Sequence, residues 1–564
     1  MFNSILNAMS SNKNDSKVVE NPLMIKLTKE QTKKGLYSYT ENGALSHDTT
    51  MNDFLDAYFK FIRNVNKKVV FDYLDKMFRI SPVDATIMIF QTRDIEEGKG
   101  ERKIFRNCLA YMIKNHYDIF EKVIHLVCEN NYGRYDDLIW GYYLYLYNFY
   151  EIRKSTVMNE FYKEHPEVLI PLDLICKYYY DTLESDIIKM NDGQPVSLCA
   201  KWFISESTKL DRRLKFTKMF IKLMKQNHNI IINNKTLRTK YTTPLRSYID
   251  IVEKVLTTKN YEHLTVDYLS KVPSCAMNKL KKKLSFVSPE WEQYRTSLIN
   301  NTGDAKVNVK TLYPHDIVRN YINHNGNYGN YGNKINAKDD IVEVQWKQKV
   351  EEIRNTNCLT DSLFMCDTSG SMFGDNAILV SLALSLLGTE LSSAKWKDYL
   401  ITFNSDSHFV KVPNSYDSLH NSLSFLLDNT KFPWGGSTNF QSAFDNILEK
   451  ATSMNLEQKD MPSYLWVISD MQFNSSYSYE TNFESIKAKY AESGYVMPKI
   501  IFWNVRANTK DFPVTKDENG VILLAGSSPS VMKYVFSGKV NNPIEIIKEI
   551  LTDKRYEPIR NVLV

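Results

Sequence analysis

The ten residues Leu363–Met372, LFMCDTSGSM, decide how the C-terminal part of the chain folds. An unbroken apolar run leads directly into Asp367, Thr368, Ser369 and Ser371, so the pattern predicts a buried β-strand that ends in oxygen-bearing side chains. In open α/β sheets, ligands bind at the carboxyl ends of the strands. The stretch therefore predicts a strand that delivers a ligand site to the edge of a sheet.

Short apolar strands and amphipathic helices alternate through the rest of the C-terminal part. The predicted strands cover 362–367, 398–403, 464–469, 499–503 and 521–524, with helices beginning near 376, 437 and 483. Alternation of this kind requires βαβ crossovers and hence a mostly parallel, doubly wound sheet. We expect an α/β domain over residues 346–564, with His408–Val412 as an antiparallel edge strand.

Two further loops of this domain place oxygen donors after predicted strands or before helices. They are Gly435–Asn439, GGSTN, and Asp470 at the end of YLWVISD. A hard cation prefers about six oxygen ligands, so these donors suit Mg²⁺ (or Mn²⁺ or Ca²⁺) and not zinc. The candidate donors are the carboxylates of Asp367 and Asp470 together with hydroxyls of the loops at 367–371 and 435–439. Two other interpretations stay open, in which the hydroxyls only cap helix N-termini or the metal is purely structural.

These three elements, in this order, resemble the metal-ion-dependent adhesion site (MIDAS) of von Willebrand factor A domains. The resemblance implies a Rossmann-like domain in which Ser369 and Ser371 bind the ion directly. It implies that Thr438 binds directly or through water, and that Asp367 and Asp470 bind largely through water. One coordination position would remain for an acidic group of a protein partner.

The first half of the chain has helical periodicity and almost no strand-like alternation from Met51 to about Tyr294. It predicts an all-α, HEAT-like helical repeat, a solenoid or a ring, over residues 21–300. Residues 1–20 are polar and aperiodic, so we expect a flexible arm. Residues 301–345 contain the tract NHNGNYGNYGNK and are predicted to be a linker.

Charge is distributed unevenly along the chain. Residues 1–350 carry +11 and residues 351–564 carry −6, which together make the net +5. Residues 201–300 alone have 20 Lys and Arg against 8 Asp and Glu, a local excess of +12 that is typical of polyanion binding. The candidate RNA contacts are Lys201, Arg212, Arg213, Lys215, Lys218, Lys222, Arg238, Lys240, Lys281, Lys282 and Lys283. Trp202, Phe203, Tyr241 and Tyr248 are candidate stacking partners for bases. A solvated basic helix face in a Lys-rich chain remains the alternative.

Several short segments of the first half, taken in order, resemble the TROVE module of the Ro ribonucleoprotein autoantigen. They are Arg93-Asp94 with GKGERKIFR (98–106), GRYDDL (133–138), AKW (200–202), VPSCAMNKLKKKL (272–284) and TLYPHDIV (311–318). The whole arrangement resembles a TROVE-like family of plants, fungi and giant viruses that also ends in a von Willebrand A domain. This resemblance implies a ring or horseshoe of helices that holds single-stranded or structured RNA, with packaging in a virion if the source is viral.

Two of these segments have two interpretations each. The glycines around Lys99 would let the backbone approach a phosphate, or Gly98 simply ends one helix before the next. Asp136 and Asp137 are more readily assigned to pairing with Arg134 or Arg102 than to a metal. The segment around Lys99 lacks the GxxxxGK[ST] pattern of a P-loop.

Other function classes find little support in the sequence. No signal peptide or membrane-spanning run is visible, so we expect an intracellular, cytoplasmic protein without a membrane partner. The seven cysteines include no CxxC pair, and neither an HExxH nor a GxSxG motif occurs. The expected function is therefore non-catalytic RNA binding with a Mg²⁺-dependent site for a partner. The alternatives are a protein-interaction scaffold without RNA and a metal-dependent phosphoesterase.

Overall fold

The computed structural model describes ten stretches of the chain. They are residues 37–39, 45–322, 335–356, 361–392, 396–403, 407–428, 430–434, 440–472, 482–507 and 511–564. The predicted arm at 1–20, most of the Gly/Asn/Tyr tract and the predicted ligand Thr438 lie outside these stretches.

The N-terminal half is built from helices, as its periodicity predicts. Its α-helices are α1 Asp53–Lys60, α2 Lys67–Ile80, α3 Pro82–Arg93, α4 Arg102–Asn115, α5 Tyr117–Val123, α6 Leu126–Glu129, α7 Tyr135–Phe149, α8 Met158–Glu164, α9 Leu169–Asn191, α10 Cys199–Trp202, α11 Lys209–Leu214, α12 Phe216–His228, α13 Asn234–Thr236, α14 Thr243–Tyr248, α15 Val252–Thr258, α16 Val266–Lys271, α17 Ser274–Val287, α18 Trp291–Asn300, α19 Pro314–Val318 and α20 Asp340–Thr356. A π-helical turn, Leu237–Thr242, joins α13 to α14, and 3₁₀ turns cover Pro166–Val168 and Tyr261–His263.

Local sequence explains where these helices begin and end. Ser81 ends α2, and its hydroxyl accepts the N–H of Asp84, so the same residue caps the start of α3. Pro82 follows in the first turn of α3, where its missing N–H costs nothing. Two helices are thereby joined at a single residue.

The C-terminal half contains a six-stranded mixed sheet in the order β5-β4-β3-β6-β7-β8. The strands are β3 Ser362–Asp367, β4 Tyr399–Phe403, β5 Phe409–Lys411, β6 Tyr464–Ser469, β7 Lys499–Asn504 and β8 Val521–Ala525. β5 is antiparallel to β4 and all other pairs are parallel. The predicted strands and the antiparallel edge are confirmed. The chain runs outward from β3 to β5 and then returns to β6 on the other side of β3, so the strand order reverses between β3 and β6.

Helices of the C-terminal half connect and flank these strands. They are α21 Ala377–Leu391, α22 Leu419–Leu426, α23 Phe440–Ser453, α24 Asn482–Glu492, α25 Lys533–Phe536, α26 Pro543–Thr552 and α27 Glu557–Leu563. The 3₁₀ turns are Gly370–Asn376, Gln458–Asp460, Pro529–Met532 and Lys554–Tyr556. Every described side chain of α21 is buried, because this helix lies against β3 on one side and α19 and α20 on another.

The two halves share one hydrophobic core. Buried residues from α1 to α14 and from the sheet belong to a single apolar cluster, whereas residues 252–309 form a second cluster that also contains Ile341. The C-terminal helices α26 and α27 pack against α3, and α1 packs against β8. The sheet is therefore embedded in the helical half and is not a separate body on a tether.

Buried polar contacts fix this junction. The Arg555 guanidinium binds both carboxylate oxygens of Asp94, at 3.0 and 3.1 Å, and the Tyr132 and Tyr556 rings stack at 5.9 Å. Lys99 is buried, and its ammonium donates to the carbonyls of Tyr58 and Phe61 at the end of α1. Burial lowers the pKa of Lys99 to about 7.

The glycines beside Lys99 serve packing. A Cβ on Gly98 would lie 2.1 Å from the carbonyl oxygen of Gln91, and Gly100 has φ +68 with the Tyr313 hydroxyl in the space that a side chain would need. This close packing, together with the buried lysine, leaves no room for the phosphate approach considered from the sequence.

The acidic pair of GRYDDL also serves packing, and of the two predicted partners Arg134 is confirmed and Arg102 is not. Asp137 pairs with Arg93 at 2.8 Å and with Arg106 at 2.6 Å, and Asp136 pairs with Arg106 and Arg134. Arg106 takes the place predicted for Arg102. The pairs join α3, α4 and α7.

Two features of the fold differ from the sequence expectation. The segment 301–345, predicted to be a linker, contains α19 and the start of α20, and Val307, Val309 and Leu312 are buried. These apolar residues are too widely spaced to form a periodic pattern, yet each finds a neighbour in the tertiary structure. A two-stranded hairpin, β1 Tyr37–Tyr39 and β2 Leu45–His47, precedes the helices, and His47 pairs with the backbone of Phe512.

Candidate functional site

The carboxyl ends of β3 and β6 lie side by side where the strand order reverses. Cys366 is opposite Ile468 in the parallel register, which brings Asp367 beside Ser469 and close to Asp470. This is the position at which open α/β sheets bind ligands. Two predicted metal ligands from segments about 100 residues apart thus meet at one edge.

Asp367 is completely buried and held by local hydrogen bonds. Its Oδ1 accepts the backbone N–H of Ser369 at 2.9 Å, and its Oδ2 accepts the hydroxyl of Ser469. The Oγ atoms of Ser369 and Ser371 are 3.1 Å apart. The loop after β3 therefore gathers one carboxylate and two hydroxyls in a small volume.

Asp470 adds a second buried carboxylate to this edge. Burial raises the pKa of Asp367, and the negative charge of Asp470 raises that pKa further. Two like charges in a buried place repel each other, and a cation between them would remove the repulsion. Arg506 supplies one positive charge, since its Nη1 donates to Asp470 Oδ2 at 3.1 Å.

The donor set fits a hard divalent cation. It offers carboxylate and hydroxyl oxygens, which are the kind of ligand that Mg²⁺ prefers. The described stretches contain no group of three or more His, Cys, Asp or Glu that could hold a metal ion, so the site has only two carboxylates and depends on hydroxyls for its other donors. The Thr368 hydroxyl is buried here and has no hydrogen-bond partner among the described residues. Asp367, Ser369, Ser371 and Asp470 are the residues that would hold the ion.

Two residues at this edge were missed by the sequence reasoning. Ser469 is the last residue of β6 and holds Asp367 in place. Arg506 lies two residues beyond β7. A polar residue just after a buried strand is a feature of the sequence from which its place at this edge could have been predicted. Arg506 was overlooked because an arginine is no metal ligand.

A second candidate site is the solvent face of α12. Lys218, Lys222 and Lys225 recur at helical spacing on this face and are exposed, as is Lys215 just before the helix. No described carboxylate lies within 4 Å of these four ammonium groups. The opposite face, with Phe216, Met219, Phe220 and Leu223, is buried. The helix therefore carries a one-sided stripe of positive charge that no described carboxylate neutralises.

The third candidate site is the exposed face of α17. Lys279, Lys282 and Lys283 share this face with Phe286, whose side chain is 88% exposed. An aromatic ring that is open to solvent beside three lysines is suited to stacking on a base. Phe286 was not predicted from the sequence. It is recognisable there as an apolar residue at helical spacing from the exposed lysines and outside the row of buried positions Met277, Lys281 and Leu284.

Lys281 differs from its neighbours. It lies in the buried stripe of α17 between Met277 and Leu284, and its ammonium is 2.8 Å from Asp339. The prediction that Lys281 is a surface contact for RNA disagrees with this burial. The helical spacing of Met277, Lys281 and Leu284 places the lysine on the same side as two apolar residues, so the sequence itself indicates that Lys281 is buried.

The other predicted contacts have mixed surroundings. Arg212 and Arg238 are exposed, and Arg238 lines a cavity of about 290 Å³ beside the π-helical turn. Lys201 lies over the Trp202 ring. Arg213 donates to the Tyr143 hydroxyl at 3.0 Å, and Lys240 is 3.3 Å from Glu184. Arg213 is therefore held by a hydrogen bond within the protein, and the charge of Lys240 is partly neutralised by Glu184.

The predicted stacking residues are mostly covered. Phe203 and Tyr241 are buried, and the face of Trp202 is occupied by the Arg134 guanidinium at 4.2 Å. Tyr248 is exposed, but its hydroxyl is bonded to the carbonyl of Gln194. Phe286 is therefore the better placed aromatic side chain.

Among the helices of the described stretches, none combines the length and the apolar character that crossing a bilayer requires.

Comparison with known proteins divides the chain close to residue 360. Residues 361–559 match the family described as "Domain of unknown function (DUF7788)", which takes in the sheet and its helices. The chain is also similar to "Uncharacterized protein L728" of Acanthamoeba polyphaga mimivirus, with 26% identity over 553 residues that cover 93% of this chain and 88% of the relative. Residues 40–153 and 150–359 match the family described as "Domain of unknown function (DUF2828)", so that more than half of the chain is covered. The chain therefore belongs to the DUF2828 family.

Proposed function

We propose that this protein is a non-catalytic, ribonucleoprotein-like RNA-binding protein whose C-terminal domain, of von Willebrand A type, holds Mg²⁺ for an acidic protein partner. The observation that carries the RNA part is the pair of one-sided basic faces on α12 and α17. Their lysines are exposed and free of carboxylate partners among the described residues, which is what phosphate neutralisation requires.

The exposed ring of Phe286 supports the same proposal. Proteins that bind single strands combine a basic surface with aromatic side chains on which bases stack. On α17 the two features share one helix face. A basic face that served only solubility would not need an exposed phenylalanine.

Contacts between the two ends of the helical half favour a closed, ring-like arrangement. Lys310 pairs with Glu96 at 3.0 Å, and Tyr313 packs against Gly100, so the segment before α19 touches the segment after α3. Both ends also contact the C-terminal half. In this proposal the sheet domain stabilises the HEAT-like array in a fixed curvature.

The metal part rests on the edge formed by Asp367 and Asp470. The buried carboxylate pair favours a cation there, as does the Thr368 hydroxyl, which has no hydrogen-bond partner within the part of the chain that the structure describes. When bound, Mg²⁺ would offer a coordination position to a carboxylate of a partner. We assign no catalytic step, because a single ion surrounded by hydroxyl ligands generates hydroxide poorly.

Filter binding of the full chain to a 20-nucleotide single-stranded RNA, at several salt concentrations, tests the RNA proposal. We expect the affinity to fall steeply and linearly in log-log form as salt increases, because bound counterions are released from the RNA. Poly-aspartate of similar charge, added as a competitor, is the control for binding that depends only on the negative charge of the ligand. RNA binding that is absent or insensitive to salt would contradict the proposal. The scaffold alternative would then be favoured by a pull-down that survives nuclease and is lost with EDTA.

A further inference from the structure

Arg506 occupies a fixed position at the acidic edge of the sheet. Its backbone N–H donates to Asn504 Oδ1 at 3.1 Å, and Asn504 is itself buried at the end of β7. The Asn504 amide also donates to the carbonyl of Phe59 at 3.4 Å, so this turn is held between the sheet and α1. The Arg506 side chain is 18% exposed and reaches Asp470.

The electrostatics of the edge explain why a guanidinium is there. Asp367 and Asp470 are both buried, and a buried carboxylate without a counter-charge costs several kcal/mol. Arg506 offsets part of this cost for Asp470, at a distance of 3.1 Å. A divalent cation bound to the same carboxylates would bring a second, larger positive charge to the same place. Two cations at such short range repel strongly in a poorly solvated site.

We infer that Arg506 and the divalent cation compete for Asp470, so that Arg506 sets the metal affinity of this edge. The inference rests on the metal site proposed above. Metal binding displaces the guanidinium from Asp470 toward solvent, which its partial exposure permits. The protein then has a charge-balanced edge both with and without metal. Weak metal affinity follows, because each bound ion replaces an existing ion pair.

Calorimetric Mg²⁺ titration of the full chain at constant ionic strength tests this competition. Arg506→Gln removes the competing charge and keeps a polar but shorter side chain, so we expect the Kd for Mg²⁺ to fall by about tenfold. Thermal unfolding is a second readout. Without metal the variant should melt below the natural protein, and saturating Mg²⁺ should raise its Tm by more than it raises that of the natural protein.

Two further variants make the experiment decisive. Arg506→Lys keeps one positive charge without the planar fork and should bind Mg²⁺ with a Kd between those of the natural chain and Arg506→Gln. It also guards against loss of folding in the glutamine variant. Arg560→Gln is the matched control, because among the described residues the Arg560 guanidinium bonds only to the backbone carbonyls of Leu551 and Asp553. Its Kd for Mg²⁺ should equal that of the natural chain.

The outcomes separate this inference from the metal site itself. An unchanged or higher Kd in the Arg506 variants, with normal binding by the natural chain, overturns the competition and leaves the site intact. Absence of any Mg²⁺ binding in the natural chain and in the Arg506 variants overturns the proposed site, and the inference with it. Binding that persists in Asp367→Asn has the same meaning, because the ion would then lie elsewhere.

Discussion

The sheet edge and the helix faces use charge in opposite ways. At the edge, Asp367 and Asp470 are buried and each has defined partners. On α12, Lys218, Lys222 and Lys225 are exposed and touch no described carboxylate. A buried charge that loses its partner destabilises the fold strongly, whereas exposed charges attract a polyanion with little effect on the fold. The difference implies that substitutions in the two regions should have separable effects.

The largest effect on stability is expected where a buried ion pair joins the two halves. Arg555→Met leaves the buried Asp94 carboxylate without its bidentate partner, and we expect the free energy of unfolding to fall by about 3 kcal/mol. Urea denaturation followed by circular dichroism measures it. RNA affinity of the folded variant should be unchanged. A loss below about 0.5 kcal/mol would mean that buried charges at this junction behave like exposed ones.

The next effect concerns the acidic edge. Mg²⁺ at 100 times its Kd should stabilise the natural chain by about 2.7 kcal/mol, and Asp367→Asn should abolish this gain by removing a ligand charge. Thermal unfolding with and without Mg²⁺ measures both. Asp361→Asn is the matched control, because Asp361 precedes β3 at the opposite edge of the sheet. Equal Mg²⁺ stabilisation of all three proteins would contradict the site.

The exposed stripe should affect binding and spare stability. Lys218, Lys222 and Lys225 replaced together by Gln should weaken binding of a single-stranded RNA on the order of 50-fold near physiological salt and lower the salt slope by roughly 2. Filter binding measures both quantities. Replacement of Lys487, Lys548 and Lys554, three exposed lysines of the C-terminal half, is the control. Equal losses in the two triple variants would show that only net charge matters.

The smallest effect tests the aromatic contact. Phe286→Ala should weaken RNA binding by about fivefold, because one base loses its stacking surface. Phe286→Leu keeps an apolar side chain without a ring and should lose nearly as much affinity. Neither variant should unfold more easily, since the ring is exposed. Full affinity in the leucine variant would indicate hydrophobic contact without stacking.

Much of the C-terminal fold was predictable because its signals are local. Strands such as 464–469 are short apolar runs between turn residues. Asp367 is the last residue of β3, and Asp470 directly follows β6. The antiparallel strands Tyr37–Tyr39 and Leu45–His47 and the packed segment around Val307 were not predictable. Three-residue strands and a few scattered apolar residues are too short to show a period, and the pairing of His47 with Phe512 joins positions far apart in the chain.

In the candidate sites, too, the contacts that depend on tertiary packing were not predictable from local sequence. Lys281 and Phe286 are only five residues apart, yet the lysine is buried and the phenylalanine is exposed, contrary to residue type. The phase of the helix within its packing decides which side chain faces the solvent. Arg506 reaches Asp470 only because β7 is adjacent to β6 in the sheet.

By itself, the sequence determined the two classes of secondary structure, the strand that delivers Asp367, the oxygen-rich donor set and the excess of positive charge between residues 201 and 300. Periodicity, turn residues and composition are local properties that a chain carries before it folds. The tertiary structure decided that the halves share one core, that Lys99 is buried, that Arg506 meets Asp470, and which lysines remain free. These depend on which distant surfaces exclude water from each other, and that is fixed only when the chain packs.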